Sequence, residues 1–318
     1  MNPAISVVLL TTLAGAAQGL VLALFVAEWL SDRNWLGDAP GQALFVVGGL
    51  LAAALASAGL VASFFHLGRP ERAWRSAAMW RTSWLSREVI ALPAFIALAL
   101  AYAAAHRWWP EASFGLGVLA VLAALALFVC TGMIYAAIRF LREWATPLTP
   151  INFLLLGCAN GFTLAAALAS WPSLAAPGLL RFFAFGAIGF ALAGLVGRLA
   201  AWRRNAALRL APKSTLQTAI GIKHNRIVQK SQGFMGASFN NREFFHGRSI
   251  RTLTVLRLIC LVGAFVLPLL LLPLALVSHS TVLLAAAVLL QYGGLMAERW
   301  LFFAEADHPQ NLYYQRMA

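Results

Sequence analysis

The sequence falls into long apolar runs separated by short polar connections. A run of about 20 such residues is what a helix needs to cross the hydrocarbon core of a bilayer. Eight runs are read, at residues 4–30, 43–66, 88–106, 113–138, 150–171, 179–201, 252–277 and 280–303. Only 11% of the residues are charged and mean hydropathy is +0.77, whereas a soluble domain carries about 25% charge. The expected fold class is all-α. A single polytopic domain covers residues 1–318, with eight transmembrane helices and one long basic loop at 202–251. The first run exceeds the about 7–15 residues of a signal-peptide core and no Lys or Arg precedes it, so it reads as a span.

Charge is distributed unevenly between the two ends of this bundle. Arg33, Arg107 and Arg181 are the only Lys or Arg expected at one end; the other 21 of 24 fall at the opposite end. Loops rich in Lys and Arg stay in the cytoplasm. That rule places the N-terminus, the 67–87 connection, the 202–251 loop and the C-terminus on the cytoplasmic side. Long loops obey the rule less strictly, yet 67–87 alone carries five arginines against Glu71.

The stretch from His66 to Glu88 is the chemically richest. His66 ends one run, Glu88 begins the next, and arginines and tryptophans lie between. Two titratable groups are expected to face each other at one membrane surface. A quinol is an apolar ring with two hydroxyls, and its oxidation releases two electrons and two protons. Its site needs an apolar slot, polar partners for each oxygen and a group that exchanges protons near neutral pH. Histidine, with an ordinary pKa near 6.5, meets the last need, and Glu88 offers a second proton acceptor. Arg69, Arg72 and Trp84 complete the expected quinone pocket, with Ser86 at the helix start as its N-cap. The plainer alternatives are a histidine bonding a helix-end carbonyl and a carboxylate favoured by the helix dipole.

Positive-inside topology accounts for most of the arginines. Their three-residue spacing at Arg69, Arg72 and Arg75 also suits one face of a short interfacial helix that meets an acidic partner. Arg75 and Arg81 are therefore assigned to partner docking. The 202–251 loop joins them, because Phe234, Met235, Phe239, Arg242, Phe244 and Phe245 mix aromatic, Met and Arg side chains in the way protein interfaces do. A basic loop lying on anionic lipid is the simpler alternative. Trp74 and Trp80 read as interfacial belt residues.

Within the runs, Glu298, Arg299 and Arg257 are intramembrane charges and so functional suspects. A Glu298–Arg257 or Glu298–Arg198 bridge is the structural alternative. Glu28 lies near the opposite surface. Gln18 is taken as the one polar residue at depth and is expected to bond a neighbouring helix. His66, His106, His224, His246, His279 and His308 all fall at run ends or in loops, which argues against haem between facing histidines. Cys130, Cys158 and Cys260 fall inside runs without a C-x-x-C, so no iron–sulfur cluster and no metal site is expected in this chain.

The order His66, Leu67, Gly68, Pro70, Arg72, Ala73, followed by Ser83, Leu85, Ser86 and Glu88, resembles the membrane anchor subunit of the dimethyl sulfoxide reductase family. Tyr135, Ile138, Trp144, Thr149, Pro150 and Phe153 form a second matching motif. The resemblance implies a non-catalytic subunit in the bacterial inner membrane. It would exchange electrons between a quinone, menaquinone or ubiquinone, and a docked four-cluster iron–sulfur subunit, which serves a molybdopterin catalytic subunit. His66 and Glu88 inherit roles in quinol oxidation by position. The long 202–251 segment is similar to the branch that anchors cytoplasm-facing sulfite:quinone oxidoreductases, and leaves the terminal substrate and the direction of electron flow open. No nucleic-acid partner is expected. The alternatives are a transporter, which predicts broken helices and polar groups near the midplane, and a structural anchor without a quinone site.

Overall fold

A computed structural model describes residues 2–36, 41–174, 177–210, 215–224, 226–228 and 247–313. Among these, eight helices are long and apolar enough to cross a membrane, and there is no strand. We number them α1 (Ile5–Ser31), α2 (Gln42–Phe64), α3 (Trp84–Trp108), α4 (Pro110–Ala136), α5 (Leu148–Ala169), α6 (Pro177–Leu210), α7 (Ile250–Ser278) and α8 (Thr281–Ala304).

Local chemistry explains where they start. Ser83, Ser249 and Ser280 precede α3, α7 and α8, and each hydroxyl accepts a backbone N–H three residues on. These bonds satisfy donors that a helix start leaves free. The cap of α3 is thus Ser83, not Ser86, which lies buried inside the first turn. The helix begins four residues before the apolar run because Trp84 to Arg87 continue it behind that cap.

The centre of the bundle is α1 against α5. Lipid tails are as apolar as leucine, so helices in a bilayer associate through close packing of small residues. A Cβ on Gly161 would fall 2.1 Å from the Gly19 carbonyl carbon, and one on Gly19 would fall 2.1 Å from the Gly157 oxygen. The two backbones touch here. α1 is accordingly the most enclosed of the spans. A similar contact joins α7 to α8, where a Cβ on Gly294 would fall 2.1 Å from the Ala264 nitrogen. At that point α7 makes a π-helical turn, Val262–Val266.

α6 runs nine residues beyond its apolar stretch, which ends at 201 by hydropathy. The extension holds no Gly or Pro, and Arg204 ties it down by donating to the carbonyls of Arg142 (2.9 Å) and Ala145 (3.3 Å).

Replacing Gly161 by Val should lower the thermal stability of the detergent-solubilised protein by about 3 kcal/mol or abolish its folding. Gly189→Ala, where a Cβ would meet nothing within 4 Å, should leave the melting temperature unchanged; equal melting of the two variants would refute the close α1–α5 contact.

Candidate functional site

The connection from α2 to α3 contains a 3₁₀ helix, Pro70–Ala77, with Pro70 in its first turn. A 3₁₀ helix has three residues per turn, so Arg72 and Arg75 share one face, with Arg69 at its N-cap. The rest of the bend is pinned from α3. Arg87 donates to the carbonyls of Trp80 (2.9 Å) and Arg81 (2.8 Å) and lies over the Trp84 ring at 4.3 Å. Arg75 and Arg81 lie over Trp74 and Trp80, both exposed. The Arg72–Glu71 pair, 3.8 Å apart, is solvent-exposed on both sides and contributes little stability.

His66 is exposed just beyond α2, beside exposed Phe64, Phe65 and Leu67. Among the described residues its ring makes no bond to a helix-end carbonyl. The apolar helix end behind it removes enough water to lower its pKa below the ordinary imidazole value. Glu88 differs from the expectation that the two groups face each other. Because α3 begins at Trp84, Glu88 sits a full turn inside the helix, beyond the reach of the helix-start dipole, and turns inward. Its carboxylate is buried and accepts from the Thr131 hydroxyl of α4 at 2.5 Å. It lines a small cavity with Thr11, Gln18, Phe128, Thr131 and Phe153; His66 is not among the lining residues. The two groups are therefore at the same end of the bundle, one outside and one inside.

The second sequence motif forms an aromatic knot. Tyr135 packs against Trp144, Phe153, Phe302 and Phe303, with ring centroids 5.2–5.7 Å apart. The Trp144 indole donates to the Phe302 carbonyl (2.9 Å), and the Thr149 hydroxyl donates to the Trp144 carbonyl (2.7 Å). The knot ties the α4–α5 connection to the end of α8. It also seats the Arg299 guanidinium over the Phe153 ring at 3.6 Å.

Next to it lies a buried charge cluster. Arg198 of α6 is 3.2 Å from Glu298 and 3.5 Å from Glu305, and Arg299 is 3.4 Å from Glu298. Arg257 reaches Glu305 at 3.9 Å and is half-exposed. Of the two bridges expected, Glu298–Arg198 forms and Glu298–Arg257 does not, because Arg257 points to the end of α8 instead. Removing one member of such a buried pair leaves the other uncompensated, at about 3–5 kcal/mol.

The opposite end holds a cluster not expected from the sequence. Glu28 accepts from the Tyr102 hydroxyl (2.8 Å) and the Ser113 hydroxyl (2.7 Å), with His106 Nε2 at 3.4 Å. His106 stacks on Phe45, ring centroids 4.5 Å apart. A signal for it exists: Tyr102 and His106 are four residues apart and so share a helix face. Gln18 is likewise not alone at depth. Asn160 and Gln291 are also fully buried in spans, and among the described residues the Gln18 side-chain oxygen has no interhelical partner.

Phe234, Met235, Phe239, Arg242, Phe244 and Phe245 lie outside the described residues. Cys130, Cys158 and Cys260 are buried and unpaired, as small core residues are.

The family described as DMSO reductase anchor subunit (DmsC) matches residues 1–304. Over 333 aligned positions the chain is 54% identical to the C subunit of the sulfite dehydrogenase of Allochromatium vinosum, with both chains covered in full. The chain belongs to the DMSO reductase anchor subunit family, and is a multi-pass membrane anchor subunit of an oxidoreductase complex. That membership sets the transporter reading aside.

A lowered His66 pKa has a direct chemical readout, since diethyl pyrocarbonate modifies only neutral imidazole. Modification of His66, followed by mass spectrometry, should stay at its plateau on acidification and reach half its rate below pH about 6.5, the ordinary histidine value. A midpoint at or above that value would contradict the burial-driven shift.

Proposed function

We propose, with anchor-family membership as the premise, that this chain is the quinone-reactive subunit of a sulfite-oxidising complex. The terminal substrate is inferred from the full-length relative, which is named as part of a sulfite dehydrogenase. In this reading the arginine-rich end faces the cytoplasm, as the positive-inside rule requires. An iron–sulfur subunit docks over the bend and the 202–251 loop, and a molybdenum catalytic subunit stands behind it. Sulfite and water give sulfate, two protons and two electrons. The electrons pass through the iron–sulfur subunit to a quinone, which takes two protons and becomes quinol.

The observation that carries this is Glu88. It is buried a turn inside a membrane span, has Thr131 as its hydrogen-bond donor, and among the described residues has no cation within 4 Å. A carboxylate kept at such a place without a charge partner points to proton exchange rather than to packing. His66, whose pKa desolvation holds below the ordinary imidazole value, stands at the same end amid exposed apolar rings that suit a quinone. A neutral ring donates at one nitrogen and accepts at the other, so it can hand one proton on while receiving another.

In the whole complex, His66→Ala and Glu88→Gln should each lower quinone-linked sulfite oxidation on the order of a hundredfold, with the partner subunits still co-purifying. Unchanged turnover in both variants would leave only a structural anchor. Because protons are taken from the side on which the partners dock, proteoliposomes containing the complex should develop no membrane potential during turnover; a sustained potential would contradict that topology.

A further inference from the structure

Three small cavities follow one another through the arginine-rich half of the bundle. The first is the one Glu88 lines together with Thr11, Gly15, Gln18 and Phe153. The second shares Thr11, Gly15 and Phe153 with it and adds Asn160, Leu295 and Arg299. The third shares Arg299 with the second and continues through Glu298, Arg198 and Asn152 to Glu143, Thr146 and Asn205. Glu143 and Thr146 are half-buried in the α4–α5 connection, so the row reaches the surface there. Each cavity holds about 10 Å³, close to what a single water requires.

Their linings are unusual for a membrane interior. Gln18 Oε1, both polar atoms of the Asn160 amide and Asn152 Oδ1 are buried and have no hydrogen-bond partner within the described protein. Gln18 is 2% exposed, Asn160 1% and Asn152 5%. Asn152 donates its Nδ2 to the Gly197 carbonyl at 3.2 Å, but each buried polar atom left unsatisfied costs about 1–3 kcal/mol, and these four lie along one row. Waters are the ordinary compensation where a polar site has the room. The carboxylates of Glu298 and Glu305 together balance Arg198 and Arg299, so the row is not blocked by a bare positive charge of the kind that excludes protons from a pore.

We propose that these cavities bind a file of waters that carries protons from the surface at Glu143 and Thr146, past Glu298 and Asn160, to Glu88. This deepens the quinone-site reading and rests on it. Reduction of one quinone takes two electrons from the docked iron–sulfur subunit and two protons. Glu88 gives up one of these protons in each turnover and is reprotonated through the file; His66 hands on the other and is reprotonated from the aqueous surface at which it stands. Asn160 and Gln18 are positioning residues: they hold waters and exchange no protons themselves.

The test uses the whole complex in liposomes with a lipid-soluble quinone. Asn160→Leu and Gln18→Leu should lower quinone-linked turnover about tenfold and enlarge the solvent deuterium isotope effect, because proton delivery becomes limiting. Asn160→Ser, which leaves room and a hydroxyl, should restore both. Turnover and isotope effect equal to wild type in the two Leu variants, with Glu88→Gln still inactive, would overturn the file and leave the site standing; an active Glu88→Gln would overturn the site itself. Should a Leu variant not assemble, hydroxyl-radical footprinting of the wild-type complex decides. Bound waters predict labelling of Phe153 and Leu295, and protection of both would refute the proposal.

Discussion

The close approach of α1 and α5 is the constraint from which the interior follows. With Gly19 and Gly161 in backbone contact, no side chain can separate the two helices. Their flanking polar residues are drawn into the bundle with them: Thr11, Gln18, Asn152 and Asn160 are all buried. A looser crossing would let these side chains turn to each other or to lipid headgroups. Van der Waals contact between small residues thus sets the polarity of the core, in a medium where no hydrophobic force draws helices together.

The arginine-rich end is organised on a different principle. There, aromatic rings and charges hold connections rather than spans. Tyr135 gathers Trp144, Phe153, Phe302 and Phe303, and Arg299 is clamped between the Phe153 face and Glu298. Arg87 and Arg204 do comparable work by donating to loop carbonyls. Each of these guanidiniums holds two backbone acceptors at once through its planar fork, which a single ammonium point charge does less well. Arginines that topology alone would explain therefore also have defined structural positions.

Much of the architecture is legible in the residues, and the reasons are physical. Span number and class follow from hydropathy because a bilayer admits only helices or closed barrels. The three-residue spacing of Arg69, Arg72 and Arg75 anticipates a common face, and the 3₁₀ helix supplies it for Arg72 and Arg75. What the sequence hides is direction. The apolar run begins at Glu88 and so suggests a helix entrance there, but capping by Ser83 begins the helix earlier and rotates the carboxylate inward. His106 reads as a helix-end group, although the partner that buries it, Glu28, lies 78 positions away. Asn160 and Gln291 escape notice inside runs whose hydropathy they barely alter. Hydropathy reports length and depth; only packing tells which way a polar side chain points.

One feature of the fold reaches beyond the membrane. α6 continues as a single helix to Leu210, so at 1.5 Å per residue its 34 residues extend about 51 Å, against roughly 30 Å of hydrocarbon. The nine residues past the apolar stretch account for about 14 Å of that length, and they are held at their base by Arg204 on the α4–α5 connection and by Asn205, which donates to Glu305 at 3.4 Å. That end of the bundle therefore presents a helix already fixed in place, and a contact made with it costs no ordering of the segment.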